Sequence, residues 1–235
     1  MVFLMEISSI AFIPDGNRRF AQKAGISLLE AYKLGTQKAW DVFTWLQDYP
    51  KIKAGTFWSL SLENFKRTAE IPLLFRIFER ELDRVKQSGL FEKHGVRLQF
   101  LGRREVFPKR LKEKMESAEK FTERFSEKTM NVALGYSGQA EIVDACKSIA
   151  QKVKAGELSV NEISEDSFKN HLYAQFQCPD LIVRTSGVQR TSGFLLFQSA
   201  YSELYFCQKY WPEFERTDLD AAIQEFHARE RRFGK

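Results

Sequence analysis

Hydrophobic positions along this chain recur with two alternating periods, and the alternation predicts the elements. Residues 6–13 (EISSIAFI) read as a buried strand ended by Pro14-Asp15-Gly16-Asn17, and a helix begins near Arg18. Between 29 and 47, Tyr32, Ala39, Trp40, Val42, Phe43 and Leu46 recur at mixed three- and four-residue spacing, which predicts a second helix. Residues 54–62 (AGTFWSLSL) form a β-rich run. Pro72 opens a helix with Phe75, Phe78, Leu82 and Val85 on one face. Alternation of Val96, Leu98 and Phe100 predicts a strand over 95–101, and Pro108 opens a helix with Leu111, Met115, Ala118, Phe121 and Phe125 in register. The order then repeats: strand and turn over 130–138, helix over 139–154, strand and loop over 179–187, a short strand at 203–206, and a last helix from about Thr217 to Phe226.

Strand alternating with helix predicts an α/β fold, with a mostly parallel central sheet of about six strands flanked by helices on both faces. No internal repeat, low-complexity tract or Pro/Gly/Ser linker interrupts the 235 residues, so a single domain over 1–235 is expected. Ligands of such sheets sit beyond the carboxyl ends of the strands. The loops to inspect therefore follow residues 13, 60, 101, 136 and 184.

Composition narrows the picture. Hydrophobic residues make up 43% and charged residues 29%, which excludes a disordered chain. Lys and Arg exceed Asp and Glu by 36 to 31; that excess is too small to argue for nucleic acid but suits an anionic small substrate. Three scattered cysteines, Cys146, Cys178 and Cys207, read as reduced thiols of a cytoplasmic protein. No apolar run reaches the roughly 18 residues of a membrane span. The opening MVFLMEISSIAFIP carries Glu6 and no basic leader, which argues against a signal peptide. The 21 phenylalanines fill a core or line an apolar cavity. The common nucleotide fingerprints are absent, and His94, His171 and His227 are isolated, with no zinc spacing.

Three strand-end loops carry candidate chemistry. In Pro14-Asp15-Gly16-Asn17-Arg18-Arg19-Phe20 a glycine lets the backbone approach a ligand and a helix N-terminus offers free N–H groups to an anion, while Arg18 and Arg19 add charged donors. Asp15 there serves either as a helix N-cap or as a Mg²⁺ ligand bridging to phosphate oxygens. Ser61-Leu62-Glu63-Asn64-Phe65-Lys66-Arg67 is by itself a polar turn. Arg184-Thr185-Ser186-Gly187-Val188-Gln189-Arg190-Thr191-Ser192 reads as a phosphate cradle or a solvated loop.

Taken together, PDGNRRFA (14–21), SLSLENFKR (59–67), LGYSGQAEIVDA (134–145), PDLIVRTSGVQRTSGFLLFQSAYSELYF (179–206), WPEF (211–214) and RERRFG (229–234) resemble the cis-prenyltransferase family over essentially the whole chain. The resemblance implies Mg²⁺-dependent condensation of isopentenyl diphosphate with an allylic prenyl diphosphate, by a homodimer with at most peripheral membrane contact. By resemblance, Asp15 holds Mg²⁺, and Gly16, Asn17, Arg18, Arg19 and Phe20 surround the allylic diphosphate. Arg184, Arg190, Thr191 and Ser192 hold isopentenyl diphosphate. Ser61, Glu63, Asn64, Phe65 and Arg67 orient substrates, with Asn64 a candidate for removing the proton. Glu203 supplies a second metal ligand from the partner subunit, and Arg232 and Gly234 reach across the dimer.

Leu28 and Tyr32 stand where the family usually has Arg and His, with Tyr32 facing substrate, and Arg18 stands in place of Gly. The lost Arg/His pair and the Pro14-Asp15-Gly16 start, with Pro14 in place of the usual Met, are reminiscent of relatives with short or irregular, head-to-middle products. Coupling to an alcohol and a non-catalytic subunit role are the other readings. Product length is expected to depend on whether Leu74, Phe75, Ile77 and Phe78 point into a tunnel.

Overall fold

Apolar runs become strands where both faces are covered, and alternating ones become strands at the margin. In the computed structural model, which describes residues 6–174 and 176–229, every residue of β1 (Ser9–Ile13) is buried, and β1 sits in the middle of the sheet. It pairs in parallel with β2 (Ala54–Ser61) and with β5 (Leu181–Arg184). Beyond β2 lie β4 (Lys128–Tyr136) and the edge strand β3 (Val96–Leu101), and beyond β5 lies β6 (Glu203–Phe206). The sheet has six strands in the order β3-β4-β2-β1-β5-β6, all parallel, as the alternation predicts.

The helices between strands follow the expected stretches within a few residues. They are α1 (Asn17–Ala24), α2 (Leu28–Trp45), α3 (Ile71–Gln87), α4 (Leu90–Lys93), α5 (Lys109–Thr122), α6 (Gly138–Lys154), α7 (Glu165–Lys169) and α8 (Arg216–Ala228). The short α4 and α7 lie outside the predicted elements, because one turn is too short to show a period.

One face of the sheet packs Phe12, Phe57 and Val183 against Val42 of α2 and Leu219 and Phe226 of α8. Further along that face, Leu60, Leu98 and Leu134 meet Trp40 of α2, Leu82 of α3 and Leu111 of α5. On the other face Ala11, Ala133 and Ile182 are covered by Phe194 and Leu195, with α6 tied down through buried Glu141, which accepts from the Tyr136 phenol at 2.6 Å and from Gln198 Nε2 at 3.0 Å. Among the described residues no helix is long and apolar enough to cross a membrane.

Candidate active site

β1 and β5 pair in parallel, with Ile13 opposite Arg184, so the loops that follow them emerge side by side. The first loop turns at Gly16, whose φ of +106° suits glycine, and a Cβ there would stand 2.7 Å from Tyr210 Cδ1. Gly16, not Asp15, occupies the N-cap of α1, and no side chain caps it. The first-turn amides of α1 are therefore left for a ligand, and the capping role for Asp15 falls away.

Asp15 is fixed from behind and charged in front. Its N–H donates to Thr185 Oγ1 at 2.9 Å, the Thr185 hydroxyl donates to its carbonyl at 2.7 Å, and Trp211 N–H donates to the same carbonyl at 3.0 Å. One carboxylate oxygen lies 2.8 Å from Arg184 Nη2 and the other 3.2 Å from Arg19 Nη2. Burial raises the Asp15 carboxyl, but the hydrogen bond and charge of Arg184, with Arg19 and Ser186 added, outweigh it and hold the group below its ordinary value. Arg184 is the buried hub. Its Nη1 donates to Ser192 Oγ at 2.8 Å and to the Arg190 carbonyl, while Arg190 Nε donates to the same Ser192 hydroxyl at 3.2 Å. Arg19 Nη2 donates to Ser186 Oγ at 2.6 Å.

These groups form the mouth of a cavity of about 700 Å³. Gly16, Asn17, Arg18, Ser61, Asn64 and Arg67 complete the polar end with Asp15, Arg19, Arg184, Arg190 and Ser192. The far end is apolar: Leu74, Phe78, Leu82 and Val85 of α3, Trp40 of α2, Phe91 of α4, and Leu98, Phe100, Met130 and Val132 from the sheet. The Asn17 Oδ1 and Arg184 Nε atoms are buried without a hydrogen-bond partner, which marks them as groups a ligand can satisfy.

Most of the candidate residues therefore converge, and Tyr32 joins them in the cavity wall. Five of the described candidates do not line it: Phe20, Glu63, Phe65, Thr191 and Glu203. Phe20 lies one turn into α1, and Glu63 is exposed and outside the cavity wall. Phe65 packs on Phe75 and Phe107, with ring centroids 6.1 and 5.7 Å away, because an apolar ring beside that cluster buries more surface there than at a charged mouth. Thr191 closes a turn through its carbonyl, which accepts from Phe194 N–H at 3.1 Å. The loops after 101 and 136 also stay out of the wall: Arg103 instead clamps Asp144 of α6. Of the α3 residues, Leu74 and Phe78 line the cavity and Phe75 and Ile77 do not. Glu203 starts β6 opposite Leu181, at the other end of the strands from Asp15, and its carboxylate accepts from Arg229 Nη1 at 2.7 Å. Arg232 and Gly234 lie outside the described residues.

Gly35, Trp40 and Glu70 belong to the wall and were not legible as site residues. The only signal at Gly35 is a glycine inside a helical pattern. Its structural reason is close approach: a Cβ at Gly35 would stand 2.1 Å from Asn17 Oδ1.

Asp15, whose carboxylate meets two arginines, is no all-protein metal cage, and among the described residues no cluster of three or more His, Cys, Asp or Glu side chains is placed to hold a metal ion. Asp15 does match the way Mg²⁺ is usually held beside phosphates, by one or two carboxylates plus the phosphate oxygens of the substrate.

Comparison with known proteins agrees with this geometry. The profile of the undecaprenyl diphosphate synthase family matches residues 13–234. A tritrans,polycis-undecaprenyl-diphosphate synthase (geranylgeranyl-diphosphate specific) from Pyrobaculum aerophilum is 42% identical, over 96% of this chain and 95% of its own. An isoprenyl transferase from Thermus thermophilus is 42% identical, over 96% of this chain and 88% of its own. Among solved structures, lavandulyl diphosphate synthase from Lavandula x intermedia in complex with dimethylallyl diphosphate superposes with a TM-score of 0.93 at 31% identity, covering 98% of this chain and 99% of that one. A probable undecaprenyl diphosphate synthase from Campylobacter jejuni gives 0.79 at 27%, covering 98% and 100%.

Proposed function

The chain belongs to the cis-prenyltransferase (undecaprenyl diphosphate synthase) family and is a prenyl-transferring enzyme, and on that premise we propose that it joins an allylic prenyl diphosphate to isopentenyl diphosphate to give a cis-prenyl diphosphate of short to medium length. The observation that carries this reading is one cavity with a cationic mouth and an apolar interior, the shape of an amphipathic prenyl diphosphate.

The α1 amides, Arg18 and Arg19 take the allylic diphosphate, and the prenyl chain runs between α2, α3 and the sheet. Arg190 and Ser192, backed by Arg184, take the diphosphate of the acceptor. Asp15 is placed to hold Mg²⁺ through the leaving diphosphate; when bound, that ion neutralises charge on the departing group. The allylic carbon–oxygen bond breaks with its electron pair going to pyrophosphate, and the acceptor double bond supplies the pair for the new carbon–carbon bond. The acceptor then loses one proton to restore a double bond. An amide is too weak a base to keep that proton, so Asn64 guides it and the departed pyrophosphate receives it. The arginines stabilise charge as it develops, which is where such groups act most strongly.

The apolar wall sets the length. From Leu74 to Val85, α3 supplies about 16 Å of wall at about 1.5 Å per residue. A prenyl unit is roughly 5 Å of zigzag carbon chain with bonds near 1.5 Å, so roughly three units fit. The working form is a homodimer in contact with the membrane only at its periphery, a placement that suits a lipid product and the lack of a spanning helix among the described residues.

A second reading, irregular coupling of two allylic diphosphates, is favoured by the TM-score of 0.93 to lavandulyl diphosphate synthase. One experiment separates the two. Purified protein is incubated with Mg²⁺, isopentenyl diphosphate and allylic primers of increasing length, with a chelator control, and products are read by mass spectrometry. A ladder of five-carbon steps supports regular condensation. A single branched product from dimethylallyl diphosphate alone supports the irregular reaction, and no product under any condition rejects both.

A further inference from the structure

Glu70 is an acid among arginines at the mouth, and the reaction just described does not use it. It precedes α3, and its side chain is 13% exposed. One of its oxygens accepts from the Tyr32 phenol of α2 at 2.5 Å, and the other lies 3.5 Å from Arg18 Nε on α1. Three helical elements thus meet at one carboxylate, and all three side chains line the cavity.

An acid beside a site for anions weakens binding unless its charge is used. The atom it meets shows the use. Nε is the back edge of a guanidinium, so Nη1 and Nη2, the fork that matches phosphate oxygens, are left for a ligand. Asp15 already engages Arg19 and Arg184, so Arg18 is the α1 cation whose terminal nitrogens remain available. Its side chain is half exposed, and a long exposed side chain loses rotamer freedom when a ligand fixes it, less so when a neighbour has already oriented it. The Tyr32 phenol is pushed up by burial and by Glu70, so it stays a donor to that carboxylate.

We propose that Glu70, fixed by the Tyr32 phenol, is a positioning residue of the allylic-diphosphate site, holding Arg18 through Nε so that both terminal nitrogens serve the diphosphate. This rests on reading the mouth as a diphosphate site. Arg18 requires its fork: Arg18→Lys keeps the charge but has no second edge for Glu70.

The test is a double-mutant cycle on the intact protein. Calorimetry measures binding of a farnesyl thiolodiphosphate, which does not ionise, and steady-state kinetics give KM for both substrates. Glu70→Gln is expected to weaken the allylic ligand about three- to fivefold, the scale of a half-exposed ion pair. KM for isopentenyl diphosphate stays within roughly twofold, and Glu70→Gln adds nothing in an Arg18→Ala background. Tyr32→Phe shifts the allylic ligand in the same direction by less, and it supplies the cycle if Glu70→Gln does not fold. Unchanged or tighter binding by Glu70→Gln, or additive losses in the double variant, overturns the proposal. Failure of the unmutated chain to bind the allylic ligand overturns instead the diphosphate reading on which it rests.

Discussion

At the scale of single residues, the geometry around Asn17 gives the sharpest expectation. Gly35 lies inside α2, where Gly→Ala ordinarily stabilises a helix by about 1 kcal/mol. Here the added methyl would meet the Asn17 amide and crowd Trp211 Cδ1 at 3.3 Å. Gly35→Ala should therefore lower the transfer rate by about 10²-fold through displacement of Asn17, with no gain in melting temperature; steady-state rates and thermal unfolding read the two together. Asp15→Asn removes the charge facing Arg184, whose side chain is 7% exposed. It should cost about 2 kcal/mol in urea unfolding, the scale of a hydrogen bond to a charged group, and about 10²-fold or more in rate. Asp15 and the arginines were legible because the expected strand ends put them where ligands bind. Gly35 and Glu70 were not, because their roles come from neighbours that only the folded chain supplies. A glycine in a helical pattern and a glutamate two residues before a proline look like ordinary sequence.

At the scale of elements, α3 separates two kinds of apolar residue that look alike in sequence. Leu74, Phe78, Leu82 and Val85 face the cavity, while Phe75, next to Leu74, packs tilted against Phe65 and edge-on to Phe107. Amphipathic spacing identifies the dry side of a helix, but a core and an apolar tunnel are equally dry, so the pattern cannot divide them. Substitution can. Phe78→Ala should shift products toward longer chains with little loss of stability, whereas Phe75→Ala should leave the product distribution unchanged and lower stability by roughly 3 kcal/mol; mass spectrometry of products and urea unfolding distinguish them. On the opposite face, Asp144 of α6 receives Arg103 Nε at 2.8 Å, Arg103 Nη2 at 2.9 Å and the Tyr173 phenol at 2.6 Å. The Arg103 hydrogen bond, opposed by burial and helped by Tyr173, holds its carboxyl below the ordinary 3.8. A carboxyl lowered in the folded state stabilises at pH above its unfolded value and loses that contribution as pH falls through the folded value. Stability should therefore fall below pH 3.8. Asp144→Asn should be less stable at neutral pH and lose less on acidification, as read from urea midpoints across that range.

At the scale of the whole molecule, alternation of strand and helix sufficed for a parallel sheet, since parallel neighbours need a crossover and a helix supplies it. The strand order was not written locally, because β1 becomes central only when β2 and β5 add to its two edges. That order decides what one chain can bring to its own site. Glu203 is in register with Leu181, while Asp15 follows Ile13, which is in register with Arg184. Glu203 thus stands about 10 Å along the strands and about 10 Å across them from the Asp15 loop, at strand spacings of about 3.3 and 4.8 Å. A metal role for Glu203 therefore requires Glu203 of the partner subunit. Mixing two inactive variants tests this. Asp15→Ala and Glu203→Ala, each expressed alone, should be nearly inactive. Co-expressed, they form mixed dimers in which one site has lost both acids and the other has kept both, so up to half the sites in each mixed dimer regain activity. Light scattering during chromatography establishes the dimer. Absence of recovery in a proven mixed dimer would remove Glu203 from the site and leave the metal to Asp15 and the diphosphate oxygens.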